Sequence, residues 1–318
     1  MDRQAVSRTL TQLHIDVARN STDDFNPFHD PNRWHHIHAN PFGGPIALGF
    51  QLEALANHQV EVHREKSGEI PLLEKAGLRF SNSQYAFADV VRIGESITLE
   101  VKPSSNQSET QGQLSNRVSV RKGRGLVMLG YQRESRRPLT HPNVDFSSMD
   151  DLSHVSDRSF VGDSGLFLKR KFMNTSNAKN FLLGSLVDPF YYFDELNERV
   201  RFPMTFPVAL ISCALVEKAK CDDYDFCAHP MVYTGHHISV DRVLQSGLKS
   251  NDRLHILVRG PMQVDKRKGL GKSNIPQTLY DCFGLLGGNL ILFRARVSMA
   301  LLGDVVAACD ARTGRKSA

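Results

Sequence analysis

The 318-residue sequence has no apolar run near the ~20 residues a membrane-spanning helix requires, so no membrane span is expected. Its polar start, Met1-Asp2-Arg3-Gln4, lacks the apolar stretch of a secretory signal, and a cytoplasmic location is the expectation. Cysteine is sparse: Cys213, Cys221, Cys227, Cys282 and Cys309 all lie in the second half, odd in number and without a CxxC pair. That argues against a disulfide framework or a zinc ribbon and leaves reduced thiols, some buried as small hydrophobes. One Trp and scattered aromatics make no stacking platform, and a net charge of +5 is too slight to imply nucleic acid. It suits an anionic ligand or simple solubility. His35, His36 and His38 have no acidic or thiolate ligand close by and match no common metal-binding spacing, so no metal is expected. Gly269-Leu270-Gly271-Lys272-Ser273 ends like a phosphate loop, but Lys266 stands where its first glycine is needed. The glycosylation sequons at Asn106 and Asn174 have no meaning in a cytoplasmic chain.

What is present is the composition of a globular protein, 41% hydrophobic and 23% charged, at a length that suggests two domains. Residues 4–20 have a helical pattern (Val6, Leu10, Leu13, Val17), ended by Asn20-Ser21-Thr22-Asp23. From Pro45 to His63 the sequence predicts a buried helix, apolar on more than one side, with proline in its first turn. Strands are expected at 77–80, 88–93, 96–101, 117–121 and 126–131, with Gly94-Glu95 as a turn. Residues 136–160, polar with arginines, serines and prolines, read as a linker. A helix from Pro203 to Lys220 and strands at 237–240, 254–258, 278–283 and 289–293 then repeat the order. The tail from Ala311 is polar, basic and expected to fray.

The repeat is visible residue by residue. At an offset of 162, Asn26-Pro27-Phe28 falls on Asp188-Pro189-Phe190 and Pro45-Ile46-Ala47-Leu48 on Pro207-Val208-Ala209-Leu210, with no gap between the matches. The same offset sets Asp24 against Leu186, His29 against Tyr191 and Gly49 against Ile211. The second copy keeps the prolines and lacks the acid, the imidazole and the glycine. Chemistry is therefore expected in the first half and shape in the second.

Asp24 and His29 stand five residues apart on a segment that Asn26-Pro27 keeps from being a regular helix. An acid and an imidazole that reach one site form a general acid/base pair. The following helix start offers unpaired N–H groups and a positive dipole end able to polarise a carbonyl, and Gly49 would let a ligand approach. Asn26 fits a turn-former that aims the two reactive side chains. These parts suit addition of water across a double bond conjugated to a thioester.

The stretch Ser21-Thr22-Asp23-Asp24-Phe25-Asn26-Pro27-Phe28-His29-Asp30, followed by Pro45-Ile46-Ala47-Leu48-Gly49, resembles the S-x-D-x-N-P-x-H signature of the MaoC-like, R-specific enoyl-CoA hydratases (hydratase 2). Arg92-Ile93-Gly94-Glu95-Ser96-Ile97 is similar to that family's strand around a V-x-x-G-D turn, whereas Leu48 stands where the family has His. The resemblance implies an α+β fold, a double hotdog in which each half wraps an antiparallel sheet around a long helix. Its halves would be 1–135, with the motif, and 161–318, without the catalytic residues. It implies catalytic Asp24 and His29, an oxyanion contact at Gly49, and Asn57 in the place of a small hydroxyl residue facing the site. The implied substrate is an acyl-CoA or acyl-carrier-protein thioester, with coenzyme A as part of the substrate, no cofactor, and a monomer or homodimer. Arg121-Lys122-Gly123-Arg124 and Lys266-Arg267-Lys268 are candidate contacts for coenzyme A phosphates. A hotdog thioesterase, a carrier-protein-dependent dehydratase and a non-catalytic acyl-CoA-binding protein remain open alternatives.

Overall fold

The computed structural model describes residues 5–106, 112–139, 144–264 and 275–313. Lys266-Arg267-Lys268, Gly269 to Ser273 and the tail from 314 lie outside the described residues. In chain order the first half contains β1 (Ala5–Thr9), α1 (Gln12–Thr22), α2 (Gly49–Lys66), α3 (Ile70–Lys75), β2 (Phe80–Phe87), β3 (Ser96–Val101), β4 (Ser105–Asn106), β5 (Gln113–Lys122) and β6 (Gly125–Ser135). The second contains β7 (Ser159–Phe160), β8 (Phe167–Phe172), α4 (Thr175–Gly184), β9 (Phe193–Asp194), β10 (Arg199–Val200), α5 (Thr205–Ala209) and α6 (Ile211–Cys221). It continues with β11 (Met231–Asp241), α7 (Arg242–Ser246), β12 (Arg253–Val264), β13 (Gln277–Leu286), β14 (Leu290–Leu301) and α8 (Leu302–Thr313).

Period-two burial in β5, where Leu114, Asn116, Val118 and Val120 face inward, gives the sheet one covered face. The strands run β1-β3-β5-β6-β2-β11-β14-β13-β12-β8-β7 in one continuous sheet. The order 1-3-5-6-2 in the first half meets its counterpart 8-12-13-14-11 at the antiparallel β2–β11 pair. Each half wraps its sheet around a buried helix, α2 with Phe50, Leu52, Leu55 and Ala56 inward and α6 with Ile211, Ala214 and Leu215 inward. This is the double hotdog. The offset of 162 carries β1 onto β8, α1 onto α4, the 3₁₀ turn Pro27–His29 onto Pro189–Tyr191, and the start of α2 onto the start of α6. None of the described helices is long and apolar enough to cross a membrane.

Four expectations are corrected. Residues 4–20 are not one helix, because Ala5–Thr9 pair with the free edge of β3 and only Gln12–Thr22 are helical. Pro45 lies outside α2, which starts at Gly49. The preceding backbone is held by Ile46 N–H to Phe28 O (3.0 Å) and Ala47 N–H to Val91 O (2.9 Å). Those bonds also explain why 88–93 is no strand: Val91 and Arg92 meet this segment, with a bridge from Ile46 to Arg92. The stretch read as a linker is packed: Phe146 and Leu152 join Leu168, Leu257 and Phe283 in a second apolar cluster, and Arg170 Nη2 donates to the carbonyls of Leu152, Ser153 and Val155.

Helices α1 and α4 cross closely where a Cβ on Gly184 would stand 2.7 Å from His14 O and 2.8 Å from Ala18 Cβ. Gly184→Ala is expected to lower unfolding stability by about 1–3 kcal/mol through overpacking at the contact between halves, read as a lower urea midpoint.

Candidate functional site

Helix α1 ends because Asp23 turns left-handed (φ 53°), which releases Asp24 into a polar turn. Asp24 Oδ1 accepts the N–H of Asn26 (3.1 Å), and Asn26 Oδ1 accepts the N–H of Phe28 (3.1 Å). Pro27 opens the single 3₁₀ turn that ends at His29, and His29 N–H donates to Asn26 O (3.1 Å). The His29 ring is then fixed from the other side: Nδ1 lies 2.7 Å from Ile46 O. A carbonyl can only accept, so Nδ1 carries the proton and Nε2 of the neutral ring presents a lone pair. That Nε2 lies 3.9 Å from Asp24 Oδ2, with the two side chains 7% and 2% exposed. Two acceptors at this distance do not bond each other. One water can donate a hydrogen to each.

The start of α2 faces the same place. Leu48 N–H is held by Gln51 Oε1 (2.9 Å), while the Gln51 amide donates to His14 O (3.1 Å) and Gly184 O (2.7 Å). One buried side chain thus ties the helix start to α1 and α4. Gly49, the first helical residue, has an N–H without an intrahelical partner. A Cβ there would meet Phe87 Cζ at 3.2 Å, so the close approach of ring and backbone favours glycine.

Asn26, His29 and Gly49 line one cavity of about 320 Å³. Its walls are mainly apolar and come from both halves, including Phe42 and Phe87 on one side and Met231 and Met299 on the other. Asp24 is not among the lining residues and stands behind His29. Asn57 is not there either. Eight residues along α2, about 12 Å at helical rise, carry it to a smaller cavity with Arg64, Ser81, Gln132 and Glu134. The expectation that Asn57 faces the site is therefore corrected.

Two contributors were missed by sequence reasoning. Tyr233 of β11 lines the cavity, packs beside Gly49, and shares a hydrogen bond with Ser212 (3.0 Å). Burial first, and the charge of Asp24 second, push its phenol above the ordinary value, so it stays a neutral donor. Nothing local in the sequence marks it, because its place depends on strand pairing between halves. Glu53 and His236 form a second acid–imidazole pair, both fully buried, with Oε1 and Nδ1 2.7 Å apart. His236 stacks on Phe50 (ring centroids 4.7 Å) and meets Phe87 and Tyr233 edge-on. A lone acid inside the apolar run Gly49–Ala56 was the available signal.

The corresponding place in the second half is smaller and polar, with Glu61, Glu65 and Arg201 lining a cavity of about 100 Å³. Tyr191, at the His29 position, donates to Glu65 (2.5 Å), and Tyr192 donates to Glu61 (2.7 Å). Arg201 lies over both rings. The nearby His58 is held down to about 4 by burial and stays neutral at neutral pH.

No protein-family model and no curated protein matches the sequence. Solved structures do. The chain is similar to a conserved hypothetical protein from Mycobacterium tuberculosis described as having a double hotdog fold (11% identity, 95% of this chain and 97% of that one, TM-score 0.55). It is also similar to a protein from Chloroflexus aurantiacus described as a MaoC domain dehydratase (9% identity, 95% of each chain, TM-score 0.57). A third is described as a MaoC-like dehydratase (9% identity, 94% of this chain and 96% of that one, TM-score 0.51). At these identities the likeness shows the fold.

The Ile46 carbonyl sets the tautomer of His29. Long-range ¹H–¹⁵N correlation spectra of histidine-labelled protein, assigned with His29→Ala, should show the neutral ring protonated at Nδ1. A ring protonated at Nε2 would contradict the lone pair facing Asp24.

Proposed function

We propose that the chain is a hydro-lyase that adds water to a 2-enoyl thioester, or removes it from a 3-hydroxyacyl thioester, by an R-specific hydratase-type mechanism. The observation that carries this reading is the 3.9 Å separation between Asp24 Oδ2 and His29 Nε2, with Nδ1 committed to Ile46 O, beside a mainly apolar cavity. A water between the two acceptors is oriented by both. As its oxygen bonds the β-carbon, His29 Nε2 takes one of its protons. The electron pair of the double bond moves onto the thioester oxygen, where the Gly49 N–H at the positive end of α2 stabilises the enolate. The imidazolium then returns the proton to the α-carbon, and both side chains regain their starting states. Asp24 holds the water and offsets the imidazolium charge. The water is deprotonated and the α-carbon protonated by the same His29 Nε2, on one face of the substrate, so addition is syn. Asn26 acts as a positioning residue through its turn.

The apolar walls favour an acyl chain, and the fold neighbours include proteins described as MaoC-like dehydratases. A direct attack by Asp24 on the thioester is disfavoured, because its carboxylate does not line the cavity. The Arg121–Arg124 turn adjoins the rim: Lys122 Nζ pairs with Asp89 Oδ2 (3.0 Å), and Asp89 lines the cavity. Arg121 and Arg124 are exposed beside it and supply charge suited to the phosphates of coenzyme A.

Purified protein should hydrate 2-enoyl-CoA, followed by loss of enoyl absorbance. Asp24→Asn and His29→Ala should each lower kcat/KM by ~10²–10⁴ with the melting temperature unchanged within a few degrees. Release of free thiol without hydration would assign a thioesterase instead. Thermal stabilisation by acyl-CoA without any turnover would assign a binding protein.

Replacing Arg121 and Arg124 together by Ala should raise KM for the CoA thioester by about three- to tenfold at low salt. The same substrate carried on N-acetylcysteamine, which has no phosphate, should show no change. An equal rise for both carriers would remove the phosphate contact from this turn.

A further inference from the structure

Helix α8 follows β14 directly, anchored where Leu302 N–H donates to Pro230 O (2.8 Å). Leu302, Val305, Val306, Cys309 and Asp310 line the cavity. Their spacing, i, i+3, i+4, i+7, i+8, is one face of a helix, so α8 turns a single side to the cavity along most of its length. Gly303, Ala307 and Ala311 on the other side are exposed.

The packing along this face loosens with distance from β14. Leu302 is 2% exposed and closes a small core with Phe28, Ile37 and Ile46. Val305 and Val306 are only half-buried and Cys309 is exposed, although all three point into a cavity with apolar walls. A helix of 12 residues is marginal on its own in water and depends on burying its apolar side. Here Val306 packs against the edge of the Phe28–Ile46 core, and Val305, Val306 and Cys309 line the cavity. The first half has no equivalent: among the described residues no α-helix lies between β6 and α4. Such a helix is therefore present at the cavity that His29 lines and absent, among the described residues, at the place around Tyr191.

We infer that α8 is the acyl-chain wall of the site and that Val305, Val306 and Cys309 set the chain length it accepts. This rests on the thioester reading above. The thioester carbonyl lies at Gly49, and the chain runs from there between α8 and the Met231–Met299 side. At ~30 Å³ per group of water size, 320 Å³ takes a chain of about ten non-hydrogen atoms. Medium-length acyl groups fill it. Each methylene added within this limit should raise kcat/KM about fourfold, the equivalent of burying one CH₂.

The wall can be tested without turnover. Octanoyl-CoA is saturated and cannot be hydrated. It should slow alkylation of Cys309 by at least about tenfold, measured by peptide mass spectrometry. Cys221, exposed and away from the cavity, should react at an unchanged rate, and coenzyme A alone should protect neither. Val306→Phe adds four side-chain carbons and should shorten the longest protecting acyl chain by roughly that number, whereas Val306→Ala should lengthen it. Unprotected Cys309 at saturating octanoyl-CoA, or a chain-length limit indifferent to residue 306, would overturn the inference. Protection without hydration of any enoyl-CoA would keep the wall and remove the hydratase. Hydration without protection would do the reverse.

Discussion

The pairing of β2 with β11 is the constraint on which the molecule depends. Seven residue pairs, from Gly235–Ala86 to Asp241–Phe80, join two sheets that would each end in an open edge. The register does more than close the sheet. It sets His236 against Glu53 on α2 and brings Tyr233 beside Gly49. A slip by one residue would turn His236 to the opposite face and leave the Glu53 carboxylate buried without a partner, a penalty of several kcal/mol. The buried pair is thus best understood as a lock on register, placed one turn below the start of α2.

With that register fixed, two pseudo-equivalent places become chemically different through few substitutions. One keeps Asp24 and His29 on a turn held by Asn26, opens onto an apolar cavity, and is walled by α8. The other keeps the same 3₁₀ turn and the same cap, with Asp188 Oδ1 accepting Phe190 N–H at 2.9 Å. There two tyrosines, two glutamates and Arg201 occupy the space. Beside them, Arg64 binds Glu134 (2.6 Å) and Asn116 (2.9 Å) in a buried polar cluster around the smaller cavity. The turn and its cap are common to both copies, while Asp24 and His29 in one stand against Leu186 and Tyr191 in the other.

Much of this was legible in the sequence because it is local. Asn26-Pro27 and Asp188-Pro189 carry their turn and cap chemistry with them, and the offset of 162 extends in the structure to β1, α1 and their counterparts. Asp24 lies 3.9 Å from His29, and Asn26, His29 and Gly49 line one cavity. What could not be read depends on contacts far apart in the chain. The pattern at 4–20 hid β1, because strand pairing with β3 overrides a weak helical period. Asn57 was displaced by the rise of its helix. Tyr233, His236 and the α8 wall belong to the second half and reach the site only through the sheet, so no spacing in the first half reports them. Phe146 and Leu152 were hidden by the polar residues around them.

The altered place around Tyr191 also changes how the molecule counts. A dimer of identical subunits around a two-fold axis must have two equal mouths, and the occupancy of one can bias the other. Fusion into a single chain removed that obligation. The mainly apolar cavity beside His29 and the smaller polar one beside Glu61 and Arg201 differ in size and lining, so the two places are not obliged to take the same ligand. The second half, released from that symmetry, contributes Met231, Tyr233, Met299 and α8 to the walls of a cavity that His29 of the first half also lines.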